Sequence, residues 1–141
     1  VHFEISVDID AAPETVWRIL TDVERWPDMT DSVDRVEILD KPFALSSRAR
    51  VHQPKLPAAI WTVTDFTENE NFTWESRSPG VRTTAGHDVL RTPNGTTTVR
   101  LTIDQTGPLA PAIALFTGRL TRRYVTMEAN GLKAKAEAKP T

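Results

Sequence analysis

Residues 97–133 read TTVRLTIDQTGPLAPAIALFTGRLTRRYVTMEANGLK, and the pattern changes period in the middle. Before Gly107-Pro108, Val99, Leu101 and Ile103 alternate with Thr98, Arg100 and Thr102. That two-residue repeat marks a strand with one buried face. After it, Leu109, Ile113, Phe116, Leu120, Tyr124, Met127 and Gly131 recur at steps of three and four, one stripe on a helix. The spacing predicts one long helix over 109–136, with Pro111 in its first turn, where a missing N–H costs little. The opposite face carries Arg119, Arg122, Lys133 and Lys135 and reads as solvated. Gly118 and Gly131 each cost about 1 kcal/mol against Ala in a helix interior, so a close backbone approach is expected there. The tail 137–141 is expected to fray.

Working back from this stretch, the chain reads as a series of strands. Thr83, Ala85, His87 and Val89 form one face of a strand that ends before the hairpin turn Pro93-Asn94-Gly95. Phe72-Trp74-Ser76 follows a second turn at 68–71. Ala59, Trp61 and Val63 alternate with Ile60, Thr62 and Thr64. Ala49, Val51 and Gln53 oppose Arg48, Arg50 and His52, and Pro54 and Pro57 bracket the turn between these two runs. Val36 and Ile38 lie in a further strand. At the N-terminus, Phe3, Ile5, Val7 and Ile9 share one face of another half-buried strand. Ala12-Pro13-Glu14 starts a short helix carrying Val16, Trp17, Ile19, Leu20 and Val23, and Pro27 interrupts it. The order is therefore strand, two short helices, six strands, long helix. Sequential hairpins give an antiparallel sheet, and one long amphipathic helix makes the class α+β. The expected fold is a single domain over 1–141, a curved antiparallel sheet of about seven strands around the C-terminal helix.

Composition excludes several classes. With 141 residues, 39% apolar and 26% charged, the chain suits one folded domain. Net charge is −2, which does not suggest a nucleic-acid-binding surface. The charge is uneven: residues 1–40 hold eleven acids and three bases, and residues 41–141 hold eight acids and fourteen bases. No apolar run approaches the ~18 residues of a membrane span, so no stable insertion is expected. There is no Cys, which removes disulfides, thiolate metal sites and cysteine nucleophiles. The three histidines are far apart in sequence, and no P-loop, GxGxxG or GxSxG is present. No metal and no cofactor is expected. Without a targeting segment at the given N-terminus, the cytoplasm is the expected location, as a monomer or homodimer. Four Trp in so small a chain are the exception to an ordinary composition. They either fill the core or line something.

Five stretches carry a resemblance over nearly the whole chain: AAPETVWRILTDVERWPDM, SRARVHQPKLPAAIWTVTDF, FTWESRSPGVRTTAGHDV, GTTTVRLTI and GPLAPAIALFTGRLTRRYVTMEANGLK. They resemble the helix-grip fold of the START/Bet v 1-like (SRPBCC) superfamily, and within it the polyketide cyclase/dehydrase-like branch. The resemblance implies a cavity between sheet and long helix for a lipid-like or polyketide-like molecule. It also implies that some members cyclise or dehydrate polyketides while others carry lipids or hormones.

Placed in that frame, a few residues become candidates. His87 sits on the inward-reading strand face. An imidazole titrates at about pH 6.5 and moves protons in either direction near neutrality. His87 is a satisfied core residue, a ligand's polar contact, or an acid/base group. Tyr124, the sole tyrosine, lies on the helix stripe and either pairs with His87 across the cavity or packs with its hydroxyl at the helix edge. Val51, Trp61, Trp74, Thr83, Ala85 and Val99 would form the sheet wall, and Phe116, Leu120 and Met127 the helix wall. Trp26, with Pro27 and Met29, reads either as a segment at the mouth or as packing, and Trp17 as core. Three functions compete: a hydrophobic-ligand binder, a cyclase or dehydratase using His87 and Tyr124, and a protein-partner module using the cavity mouth and the acidic 22–34 segment.

Overall fold

The computed structural model describes residues 1–138. Strand β1 (His2–Ile9) is followed by helix α1 (Pro13–Thr21) and a short 3-10 helix (Val23–Asp28). Then come β2 (Arg35–Ile38), β3 (Arg48–His52), β4 (Ala59–Thr67), β5 (Asn71–Ser78), β6 (Val81–Arg91) and β7 (Thr97–Thr106), and the long helix α2 (Ala110–Glu137). The seven strands form one antiparallel sheet in the order β1-β7-β6-β5-β4-β3-β2. Consecutive strands from β2 to β7 pair as hairpin neighbours, and β1 closes beside β7 because the two helices carry the chain across. This is the expected α+β helix-grip arrangement.

Register puts the apolar alternation on one face. Val99 lies opposite Val7 and Val89, Phe72 opposite His87, and Trp74 opposite Ala85. In β4 a bulge between Val63 and Asp65 shifts the phase by one residue. The shift turns Phe66 inward and leaves Asp65 exposed, which a strict alternation would reverse. One end of the concave face is closed by α1 and the 3-10 helix, through Val16, Trp17, Leu20, Val23 and Trp26. Phe43, Phe66, Phe72, Trp17 and Trp74 meet there edge-to-face with centroids 5.2–6.4 Å apart.

Helix α2 lies across the open face, but its buried stripe differs from the expected one. The C-terminal half buries Val125, Ala129, Leu132 and Ala136, and Tyr124 beside them. Phe116 is 84% exposed and Leu115 81% exposed. The helix is turned by about one residue, or roughly 100°, from the orientation that its largest apolar side chains suggest. Close packing of the C-terminal half explains the rotation. A Cβ on Gly131 would stand 2.0 Å from the Met29 carbonyl oxygen, so the bare backbone of Gly131 seats α2 against the end of the 3-10 helix. The close approach expected at Gly131 is present, whereas Gly118 has nothing within 4 Å of its would-be Cβ. Of the tail expected to fray, Glu137 closes α2, accepting from the Asp10 N–H at 2.8 Å and pairing with Lys133 at 2.7 Å. Residues 139–141 lie outside the described residues.

Two predictions follow from this packing. Gly131→Ala should destabilise the fold by about 1–3 kcal/mol, the cost of overpacking, while Gly118→Ala should stabilise it by about 1 kcal/mol. Urea unfolding of the two variants checks the opposite signs. The Asp10 amide, and then Lys133, hold the Glu137 carboxyl below its ordinary value of 4.5. A depressed folded-state pKa gives stability that is complete above the ordinary value and lost as pH falls through the lower folded one. Wild type should therefore exceed Glu137→Gln in thermal midpoint at pH 7, and the gap should close in acid.

Candidate functional site

Between the sheet and the N-terminal half of α2 the side chains do not meet. A cavity of about 310 Å³ remains, at the small end of the roughly 300–1,000 Å³ usual for small-molecule sites. Its sheet wall includes Val51, Trp61, Trp74, Thr83 and Ala85, and its helix wall Ile113, Thr117, Thr121, Tyr124 and Glu128. Trp61 and Trp74 lie 5.6 Å apart with ring planes tilted by 35° and form one continuous aromatic surface. Threonine suits the helix wall because it can satisfy its hydroxyl on its own helix. Thr117, on the cavity wall, donates its hydroxyl to the Ile113 carbonyl at 2.8 Å.

His87 stands at the inner end, 3% exposed. Two contacts with its cross-strand partner fix the ring. It stacks on the Phe72 ring at 4.0 Å and 13°, and its Nδ1 lies 3.1 Å from the Phe72 carbonyl oxygen. A carbonyl only accepts, so Nδ1 carries a proton and Nε2 is the variable nitrogen. Nε2 faces Glu128 Oε1 at 3.6 Å, and that oxygen is buried with no hydrogen-bond partner. Neutral imidazole and ionised carboxylate would oppose lone pair to lone pair. At 3.6 Å the two groups face each other at the inner end of the cavity without a direct hydrogen bond.

Other candidate positions differ from the sequence expectation. Tyr124 lines the cavity, but its hydroxyl donates to the Pro54 carbonyl rather than to His87. That bond straps the loop between β3 and β4 to α2. Trp26 lines the closed inner end and not the mouth: it is 3% exposed, and its indole N–H donates to the Leu20 carbonyl at 3.0 Å. The mouth lies at the other end, where the lining residues Pro57 and Ser78 are exposed. Met29 is not on the cavity wall, because its backbone is pressed against Gly131. Val99 is fully buried in the core between β1 and β6, and its neighbours on the same strand face, Leu101 and Ile103, reach the cavity instead. Phe116, Leu120 and Met127 do not line it, since the rotation of α2 gives that wall to Thr117, Thr121 and Glu128.

Sequence reasoning missed Glu128. A signal existed: it stands four residues after Tyr124, on the same helix face, and no acid occurs between Gln105 and Met127. The acidic 22–34 segment is partly engaged within the chain. Asp22 pairs with Arg25, and Glu24 with Lys41 and the Ile38 amide, the amide contributing most to a depressed Glu24 pKa. Among the described residues no cluster of three or more His, Asp or Glu could hold a metal ion, and no helix is long and apolar enough to cross a membrane.

Comparison with known proteins agrees with this geometry. The chain is similar in structure to the Zhui aromatase/cyclase from Streptomyces sp. R1128, with a TM-score of 0.80, 19% identity, and coverage of 97% of this chain and 93% of that one. A START superfamily protein from Mycobacterium smegmatis matches with a TM-score of 0.74 and 15% identity, covering 95% and 97%. Ara h 8.0201 matches with a TM-score of 0.67 and 9% identity, covering 94% and 97%. At these identities the likeness is one of fold. No curated protein matches the sequence. A family model does match, over residues 1–137, and the chain, with the fold it shares with the START superfamily protein and Ara h 8.0201, belongs to the polyketide cyclase/dehydrase and lipid transport family.

Proposed function

We propose that the protein binds an amphipathic small molecule, lipid-like or polyketide-like, in the cavity between the sheet and α2. The observation that carries this reading is the cavity itself, about 310 Å³ with tryptophans on one wall and a buried His87–Glu128 pair at its inner end. Apolar burial supplies most of the affinity, at about 25 cal/mol per Å². The polar pair orients the ligand. The strap from Tyr124 to Pro54 holds the wall of the mouth in place.

N-Phenylnaphthylamine, an uncharged fluorescent probe, tests this. It should bind with saturable enhancement of its own emission and quenching of tryptophan. Thr117→Trp, which fills the cavity from the helix side, should weaken binding at least tenfold with the thermal midpoint preserved. Unchanged binding by that variant would place the probe elsewhere. Tyr124→Phe should lose about 0.5–1.5 kcal/mol of stability, the worth of one hydrogen bond, and release the probe faster.

A second reading, a cyclase or dehydratase acting on a polyketide-like substrate, draws on the facing of His87 and Glu128. The cavity would fold the chain so that its reacting carbons meet, and the pair would take and return the proton. Tyr124 has no part in this scheme, its hydroxyl being committed to Pro54. Under this reading His87→Ala abolishes turnover of a polyketide-like substrate while changing probe affinity less than threefold. Absence of turnover in wild type and variant alike leaves a carrier.

A further inference from the structure

The rotation of α2 that opens the cavity also turns its largest apolar side chains to solvent. Leu115 and Phe116 are the most exposed large hydrophobic residues among those described, and Leu109 is half exposed. From Thr106 to Gly118 the sequence carries no charged residue. Arg119, Arg122 and Arg123 follow, with no acid between Gln105 and Met127. On a helix, Ala112, Leu115, Phe116 and the three arginines fall within one arc of about 120°. Ile113, Thr117, Thr121 and Tyr124, on the cavity wall, lie on the opposite side. No carboxylate lies within 4 Å of Arg119, Arg122 or Arg123 among the described residues, whereas most other arginines are paired, as Arg48 is with Asp40 and Arg100 with Asp88. Arg122 stands 5.5 Å over the Phe3 ring. This half of α2 also forms part of the rim of the mouth, where the Leu109 N–H donates to the Gly80 carbonyl at 2.9 Å. The loop strapped to α2 by Tyr124 adds Lys55, Pro57 and Ala58, all exposed. The exposed acids Asp22, Glu24 and Asp28 sit at the closed end, on or beside the 3-10 helix.

We infer that the outer face of the N-terminal half of α2 docks the protein on an anionic phospholipid bilayer, holding the mouth of the cavity at the lipid surface. The partner's chemistry follows from the two parts of the patch. Leu115 and Phe116 enter the boundary between headgroups and acyl chains, to the depth of about 5–10 Å that an interfacial helix reaches. Arg119 and Arg123 follow Phe116 on the same face, about 5 and 11 Å further along the axis. There they meet the lipid phosphates, which a guanidinium binds through paired hydrogen bonds. A protein partner of ordinary size needs about 800 Å² of matching surface. A convex helix ridge with two apolar side chains needs no matching shape in a fluid bilayer. The contact is peripheral, since no helix among the described residues is long and apolar enough to cross a membrane. Repulsion of Asp22, Glu24 and Asp28 turns the closed end away from the same surface. The inference goes beyond the ligand-binding reading and is tested apart from it, because Leu115, Phe116 and the three arginines do not line the cavity.

Flotation with phosphatidylcholine vesicles, plain or with about 30% phosphatidylglycerol, tests this at low ionic strength. Wild type should bind the anionic vesicles at least tenfold more tightly than the plain ones, and leave them as salt rises to about 0.5 M. Arg119→Gln/Arg123→Gln should weaken binding about twentyfold, since one arginine near an anionic surface contributes about fivefold. Leu115→Ser/Phe116→Ser should weaken it at least tenfold. Both variants should keep the wild-type thermal midpoint and, without vesicles, its affinity for N-phenylnaphthylamine. Because the chain has no Cys, Ala112→Cys carrying an environment-sensitive fluorophore reports the docked face. Its emission should shift to the blue on anionic vesicles, and that of a labelled Asp28→Cys should not. No binding to the anionic vesicles, equal binding to both kinds, or binding that survives both double substitutions would overturn the inference and leave the cavity reading standing. A wild-type dimer that Leu115→Ser/Phe116→Ser dissociates, without vesicle binding, would overturn it too and give this face to a second copy of the chain. Vesicle binding as expected in a protein that fails to bind N-phenylnaphthylamine would remove the cavity reading and leave the docking face.

Discussion

One helix cannot fill the concave face of a seven-stranded sheet. The rest of the structure follows from how that shortfall is distributed. At one end α1, the 3-10 helix and the C-terminal half of α2 supply enough side chains to close the core around Trp17, Leu20, Phe72 and Leu132. At the other end only the N-terminal half of α2 is available, and it presents Ile113, Thr117 and Thr121 instead of its large side chains. Leu115 and Phe116, which could have filled the space, point outward. The cavity is therefore a consequence of helix rotation. That rotation is set some distance away, where Gly131 admits the Met29 carbonyl.

The site inherits its chemistry from the boundary between these two ends. His87 belongs to the packed side through its stacking and hydrogen bond with Phe72. Its other nitrogen belongs to the cavity. A histidine held rigidly on one edge and open on the other has a fixed tautomer and a directed second nitrogen, the condition for orienting a ligand or moving a proton. Glu128 reaches the same point from the helix.

Much of this was legible in the sequence, for identifiable reasons. Strands with alternating Thr, Val and Ile and turns such as Pro93-Asn94-Gly95 declare themselves locally, and so the sheet and its order could be read. The wall residues Trp61, Trp74, Thr83, Ala85 and His87 followed from the same alternation. The helix face did not, because α2 violates the rule that large apolar residues face inward. Thr117, Thr121 and Glu128 face in, and Phe116 faces out. Only contact with the rest of the fold sets that rotation. For Trp26 the sequence leaves mouth and packing open, and the choice falls to packing because the 3-10 helix folds the indole back onto the Leu20 carbonyl. Tyr124 was found on the right face, but the carbonyl that takes its hydroxyl lies in the loop between β3 and β4, 70 residues away.

The central claim is that this cavity is occupied in use. Native mass spectrometry of protein purified from its own host, followed by organic extraction, tests it most directly. The account predicts a bound small organic molecule that solvent releases, and its absence from Thr117→Trp purified in the same way. Protein that is empty in both forms, with no thermal shift against a lipid and polyketide panel, would contradict it.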